Sequence, residues 1–312
     1  MPVAAEMSAM ARRGWSESKH SRTRKPFAKD AIMSVLFIIR TLSFIIRTNI
    51  TMRTNLLEFE SRYGDQRSGK ACLERGDMDK TIGSPATALA GIRDGATVMI
   101  GGFGGSGAPI ELIDALIDAG PKNLTVINNN AGNGHVGLAA LIEQGMVAKL
   151  ICSFPRSADP RVFTELYLAG KIDLEVVPQG TLAERIRAGG AGIPAFYTPT
   201  GFGTELAEGK PVAEFEGRYY VQERWLKADV ALIKAELGDR AGNLTYRMAA
   251  RNFNPLMAMA ADRTVAQVTR IVAAGEIHPE HVVTPGIFVD GLVEIPDPKQ
   301  EEVLNRLGAA YP

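Results

Sequence analysis

From Met78 onward, short apolar runs of strand length alternate with stretches of helical spacing, and this alternation restricts the chain more than any other feature of it. Ser84-Pro85 followed by Ala86–Ala90 reads as a short helix, with Ser as N-cap and Pro at the first helical position. Ala96–Ile100 is an apolar run suited to a buried strand. Pro109 then opens a helix through Ile110, Leu112, Ile113, Leu116 and Ile117, which Gly120-Pro121 closes. The pattern continues with a strand over Leu124–Asn128, a helix over Gly137–Gln144 and a strand over Lys149–Phe154. A helix over Arg161–Ala169 and a strand over Leu174–Val177 follow. Thr181–Ala188 reads as a helix with a capping box, Thr181 as cap and Glu184 three residues on. Later strands are expected at Ala228–Ala235, Thr264–Val268 and Arg270–Ala273. Apolar strands alternating with helices predict an α/β fold, an open and mostly parallel sheet with helices on both faces.

Residues 78–298 are expected to form one domain, with 299–312 as a C-terminal tail. Residues 1–77 differ from this body. They carry 14 Lys and Arg against 8 Asp and Glu, whereas the remainder carries 21 against 27, so the formal net charge of zero hides a basic leader. Its apolar stretch, Ala31–Ile46, is split by Arg40 and falls short of the roughly 20 residues that span a bilayer. Three readings stand open: an organelle transit peptide, a membrane-surface anchor, or a segment outside the working protein, with Met78 as the natural start. The leader is expected to be poorly ordered. Zero net charge gives no reason to expect nucleic acid or a membrane surface as partner. Two cysteines, Cys72 and Cys152, provide no disulfide framework, and a reducing cytoplasm is the expected setting.

The glycine-rich stretch Gly101-Gly102-Phe103-Gly104-Gly105-Ser106-Gly107-Ala108-Pro109 lies between a predicted strand and a predicted helix. Glycines at that place let backbone approach a ligand closely, and free N–H groups there suit a phosphate or an oxyanion. A tight crossover needing only small residues is the plain alternative. Gly102, Gly104 and Gly107 also satisfy the dinucleotide pattern G-x-G-x-x-G. That fold requires an acidic residue at the end of the second strand, where this chain has Asn128-Asn129-Asn130. A nicotinamide-dependent dehydrogenase is therefore a distant alternative.

The stretch Asp94-Gly95-x-x-Val98-Met99-Ile100-Gly101-Gly102-Phe103-x-x-x-Gly107-x-Pro109 resembles the first-subunit signature of the family I coenzyme A-transferases. The resemblance continues through Asn129–Gly132, Pro178–Arg187, Pro194–Gly201, Asp239–Asn243 and Ala250–Asn254, and covers nearly all of residues 78–295. Within the family, Cys152–Arg156 and Thr284–Val289 are most similar to the first, or A, subunits of enzymes that use 3-oxoadipate. Acetoacetate or short-chain fatty acid enzymes are the alternative. The resemblance implies a transferase that carries CoA from succinyl-CoA to a 3-oxo acid in aromatic catabolism, without metal or permanent cofactor and with CoA as substrate. It implies a glutamyl-CoA intermediate on a B subunit, because the Ser-Glu-Asn-Gly stretch of those subunits does not occur here. Glu111, Glu184, Glu205 and Glu223 are accordingly read as surface, capping or ion-pair residues.

By the same resemblance, Asn129 and Asn130 stand beside the reacting glutamate with Gln179 nearby, as uncharged donors to an oxyanion. Strand-end capping is their plain reading. The resemblance places CoA against Gly101, Gly102, Phe103, Gly104, Gly105, Ser106 and Gly107. A dicarboxylate needs a cation for its remote carboxylate, and Arg156 is the candidate. Arg247 and Arg251 are expected to organise an interface or a buried ion pair. His278 and His281 are read as a solvated loop, and His135 as a lesser candidate for lining the site.

Overall fold

The computed structural model describes residues 79–311. The readings of residues 1–77, and of Cys72, lie outside the described residues.

Seven parallel strands form the sheet in the order β11-β10-β8-β1-β2-β3-β4. They are β1 (Thr97–Ile100), β2 (Leu124–Ile127), β3 (Val147–Cys152), β4 (Asp173–Val176), β8 (Ala228–Asp239), β10 (Ala261–Val272) and β11 (Gly291–Glu294). A two-residue strand, β9 (Leu244–Thr245), pairs antiparallel with the far end of β8. Between the strands lie α1 (Pro85–Ala88), α2 (Ile110–Ala119), α3 (Leu138–Glu143), α4 (Arg161–Leu168), α5 (Gln179–Ala191) and α6 (Asn254–Ala260), and α7 (Glu301–Arg306) follows β11.

Strand residues alternate between two cores, because successive side chains point to opposite faces of a sheet. Val98 and Ile100 of β1, Val126 of β2, Leu150 of β3 and Leu232 of β8 pack on one face with Leu112, Leu116, Leu141 and Val162 from α2, α3 and α4. Met99, Ile127, Ile151, Ala231 and Ile233 pack on the other with Leu182 and Ile186 of α5 and Met257 of α6. This is the α/β sheet, covered on both faces, that the alternation predicts. Ser84 caps α1 through its hydroxyl, and Gly120 ends α2 at φ +73.

Three expectations change. The predicted strands Thr264–Val268 and Arg270–Ala273 are one strand, β10, paired along its length with β8. Thr181 does not cap a helix: α5 begins at Gln179, Thr181 lies inside it, and Glu184 pairs with Arg187 instead of closing a capping box. The Thr181 hydroxyl is buried without a partner among the described residues. Thr181→Val should therefore stabilise the fold by about 1 kcal/mol, since it removes an unsatisfied buried group at nearly constant shape; equilibrium denaturation reads it directly. Third, a small antiparallel sheet, β5 (Ala195–Thr198), β6 (Val212–Phe215) and β7 (Arg218–Arg224), follows α5 in the order β5-β7-β6. Its hairpin turns on Glu216 (φ +51) and Gly217 (φ +75), a two-residue turn with both corners left-handed.

The register brings the carboxyl ends of β1 to β4 level with one another. Met99 stands beside Ile127, Ile127 beside Ile151, and Cys152 beside Val176. The chain runs outward from β1 through β4 and then returns to the opposite side of β1 as β8. The connections after these strands diverge there and leave a crevice at the carboxyl end of the sheet, where open α/β sheets bind ligands.

Candidate functional site

Three consecutive asparagines follow β2, and each has a different task. Asn128 is buried and donates from Nδ2 to the carbonyl of Ile100 at 2.7 Å, which ties the end of β2 to the end of β1. Its Oδ1 accepts from the N–H of Asn130 at 2.8 Å. Asn130 in turn accepts from the N–H of Gly132 at 2.8 Å, so its side chain shapes the turn that leads into α3. Asn129 is held from two sides. Its Oδ1 accepts from Ser153 Oγ at 2.7 Å and from Gln179 Nε2 at 3.0 Å. Its carbonyl accepts the N–H groups of Ser153 and Phe154. With the oxygen of its amide engaged twice, the NH2 end is fixed in orientation and has no partner among the described residues.

The glycine-rich stretch does not run straight into its helix. Phe103 and Ser106 exchange backbone hydrogen bonds, 3.0 and 3.2 Å, across a hairpin tipped by Gly104 and Gly105, with Gly104 at φ +56. Neither tip N–H has a partner among the described residues. α2 begins only at Ile110, after Pro109. A dinucleotide loop enters its helix directly, so this hairpin, like the amide of Asn128 at the end of β2, separates the chain from that fold.

The base of the hairpin is packed. Gly101 and Gly107 are buried against Asn254, which is fully enclosed. A Cβ on Gly101 would lie 1.8 Å from Asn254 Oδ1. Asn254 accepts from the N–H of Lys234 at 3.1 Å and donates to the carbonyls of Gly107 at 3.2 Å and Ala250 at 2.8 Å. Asn252 donates to the carbonyl of Ser106 at 2.9 Å. The expected CoA-contacting residues therefore divide. Phe103, Gly104 and Gly105 stand at a cavity; Gly101, Gly102 and Gly107 are enclosed, and Gly101 and Gly107 pack on Asn254; Ser106 faces a neighbouring trough.

That cavity, about 610 Å³, gathers Phe103, Gly104, Gly105, Asn129, Asn130 and Gln179. Arg156 lines it too, exposed, and makes no ion pair among the described residues. So do Ser157, whose hydroxyl is buried without a partner, and Glu301 of α7. Phe103 and Phe154 are 48% and 58% exposed, so the mouth of the cleft is apolar.

The sequence pattern of the coenzyme A transferase family matches residues 82–295. The chain belongs to this family. The A subunit of the 3-oxoadipate CoA-transferase of Pseudomonas putida is 62% identical over 218 residues, covering 70% of this chain and 94% of that protein. The A subunit of the succinyl-CoA:3-ketoacid coenzyme A transferase of Xanthomonas campestris pv. campestris (strain B100) is 51% identical over 239 residues, covering 76% and 98%. Among solved structures, the acyl-CoA transferase YdiF of Escherichia coli O157:H7, in thioester complex with CoA, is 26% identical with a TM-score of 0.62; this chain spans about half of its length, 49%. The decarboxylase AibA/AibB, in a variant with one cysteine replaced by serine, superposes equally well, at 26% identity and a TM-score of 0.62, over 93% of its chain. The coenzyme A transferase fold thus accounts for the mostly parallel sheet with its helices.

The glutamates set aside in the sequence hold structural posts in this family member. Glu111 accepts from the N–H of Lys299 at 2.6 Å, Glu184 pairs with Arg187 at 2.7 Å, and Glu205 opens a short 3-10 turn. Glu223 is buried and pairs with Lys210 at 2.7 Å. His135 bonds Glu143 through Nδ1 and lines the neighbouring trough, not the cleft. His278 caps a 3-10 turn by accepting from the N–H of Glu280. Arg247 and Arg251 do not bury an ion pair: both are exposed and unpaired among the described residues, because the 3-10 turn between them, Met248–Arg251, projects outward with Met248 85% exposed. Burial pushes the Cys152 thiol up to about 12, which leaves it inert. No helix among the described residues is long and apolar enough to cross a membrane.

Sequence reasoning missed Asn128, Asn254 and Glu301. Asn254 lies in a stretch that carries the family resemblance, and its asparagine beside helix-starting Pro255 was a usable signal. Glu301 had none, because residues 299–312 read as a C-terminal tail beyond the domain.

Proposed function

We propose that this chain is the A subunit of a two-subunit enzyme that moves CoA from succinyl-CoA to a 3-oxo acid, 3-oxoadipate above all, with the nucleophilic glutamate supplied by a B subunit. The observation that carries the reading is 62% identity to the A subunit of a 3-oxoadipate CoA-transferase over nearly that protein's whole length. The cleft supports it with oriented, uncharged donors.

In this reaction a glutamate carboxylate attacks the thioester carbonyl, the C–S bond breaks, and an acyl-glutamyl anhydride and CoA thiolate form. The thiolate attacks the glutamyl carbonyl and expels the first acid as its carboxylate, which leaves a glutamyl-CoA thioester. The acceptor carboxylate then takes the CoA by the reverse sequence. Covalent catalysis replaces one difficult exchange with easier steps. Every addition places negative charge on a carbonyl oxygen. The NH2 of Asn129, oriented by Ser153 and Gln179, and the free N–H groups at the hairpin tip are the donors this chain offers to it. An amide donates without neutralising the attacking carboxylate, as a lysine at the same place would.

Arg156 is the cation for the remote carboxylate of a dicarboxylic acceptor. Arg156→Ala should raise the KM for 3-oxoadipate about 10- to 100-fold, the size of a lost charge-assisted contact, and change that for acetoacetate little. Equal losses on both acids would remove Arg156 from this role.

The function itself is tested by assaying CoA transfer from succinyl-CoA to 3-oxoadipate, and to acetoacetate in parallel, with this chain alone and with a B subunit. Activity only in the mixture, with 3-oxoadipate preferred, is the expected result. Full activity from this chain alone would place the nucleophile here and contradict the two-chain reading.

A further inference from the structure

Residues 299–311 fold back over the site. The N–H of Lys299 binds Glu111, Asn305 donates to the carbonyl of Asn133 at 3.1 Å, and the N–H of Tyr311 binds the carbonyl of His135. These contacts press α7 against the glycine hairpin and make Glu301 part of the wall between the cleft and the neighbouring trough. Glu301 is 7% exposed. Its Cβ lies 3.1 Å from the place a Cβ on Gly105 would take, and its Oε1 lies 3.5 Å from it. A side chain at 105 would press on Glu301 and require it to shift by a few tenths of an ångström.

The Glu301 carboxyl has no hydrogen bond and no ion pair among the described residues. The charged groups on the elements around it are engaged elsewhere: Lys299 with Asp114, His135 with Glu143, Asp159 with Arg161, and Arg306 with Glu302. Glu111, on α2, is bound to the N–H of Lys299 and to Gln267. Arg156 shares the cleft but does not pair with Glu301. The side chain is enclosed, but its carboxyl keeps contact with the two cavities that it lines, so it is open to a ligand there. An ionised carboxylate here would repel the acids that the enzyme exchanges. A neutral carboxyl instead presents an O–H donor, and organic acids supply acceptor oxygens.

We infer that Glu301 is a substrate-binding residue whose carboxyl O–H donates a hydrogen bond to an oxygen of the organic acid in this cleft, complementing the cation at Arg156. The inference rests on the transferase reading above and specifies how this chain's C-terminal segment takes part in it. Burial pushes the Glu301 carboxyl up to about 7, which keeps a large share of it protonated near neutrality. The sign follows: the donor is present below that value and is lost as pH rises through it.

The test uses the complex of the full chain with its B subunit and measures kcat and KM for 3-oxoadipate from pH 6 to pH 8.5. For the unaltered complex, KM should rise about tenfold from pH 6 to pH 8, as the donor titrates. Glu301→Gln keeps shape and an N–H donor, so its KM should stay near the pH 6 value across the range. Glu301→Ala loses the donor, and its KM should be about tenfold higher at pH 6 and flat with pH. A Glu301→Gln profile that superimposes on that of the unaltered complex would overturn the inference while leaving the transferase reading intact. An unaltered complex inactive on every 3-oxo acid would instead remove that reading, and this inference with it.

Discussion

Asn129→Ala in the assembled enzyme should lower kcat by about 10²- to 10³-fold, the usual consequence of removing one preorganised donor to an oxyanion. KM for both acids should change little, because the charge that the amide meets develops only after attack. The stability cost should be modest. The substitution removes the acceptor shared by Ser153 and Gln179, and both of those side chains reach solvent in the cleft. Gln179→Ala gives the graded comparison. It leaves the Asn129 amide in place but frees its orientation on one side, so a loss of about tenfold is expected, small beside that of Asn129→Ala. Asn129→Asp keeps the shape and the two accepted hydrogen bonds while replacing the free donor by negative charge. Its kcat should fall at least as far as that of the alanine variant. Steady-state kinetics on the three variants separates a donor role from strand-end capping, since capping alone would leave Asn129→Asp close to wild type.

Gly101→Ala should cost about 3–5 kcal/mol of folding stability, well above the usual core substitution. The added methyl would lie 1.8 Å from Asn254 Oδ1, and Asn254 cannot retreat without releasing the N–H of Lys234 and the carbonyls of Gly107 and Ala250. Each buried group left unsatisfied costs about 1–3 kcal/mol. Asn254→Ala breaks the same bonds without a clash and should cost about 2–4 kcal/mol by that reasoning. The two changes act on the same atoms, so they should not add. In the double variant the new methyl enters space vacated by the amide, and its stability should match that of Asn254→Ala alone. Chemical denaturation of the four proteins closes the cycle. Additive losses would show that Gly101 and Asn254 act separately, contrary to the geometry.

Much of the fold was legible because its signals are local. Ser84-Pro85, Gly120-Pro121 and the apolar run Thr97–Ile100 each act on their own few residues, and the structure places helix ends and a strand there. The errors arose where distant residues decide. Thr181 and Glu184 have the spacing of a capping box, but the chain leaving β4 turns at Pro178 and starts the helix early, which leaves Thr181 facing the core. Thr269 looks like an interruption of β10, yet β8 is long enough to pair past it. The small sheet β5–β7 had a local signal in Glu216-Gly217, although glutamate is an uncommon residue for a left-handed corner.

The sequence by itself determined the alternation of strands and helices, the glycine-rich crossover after the first strand, and a chain of motifs dense enough to name the family. These depend on residue spacing, burial period and backbone permissiveness, all of which are written along the chain. Only the tertiary structure decided how the glycines divide, two packing on Asn254 and two tipping an open hairpin. It alone decided which end of the Asn129 amide is free, because Ser153 and Gln179, 24 and 50 residues away, engage the other end. It also placed Glu301 beside Gly105, almost 200 residues upstream. A side chain's partners and its desolvation are set by what the fold carries next to it, and no local pattern encodes that.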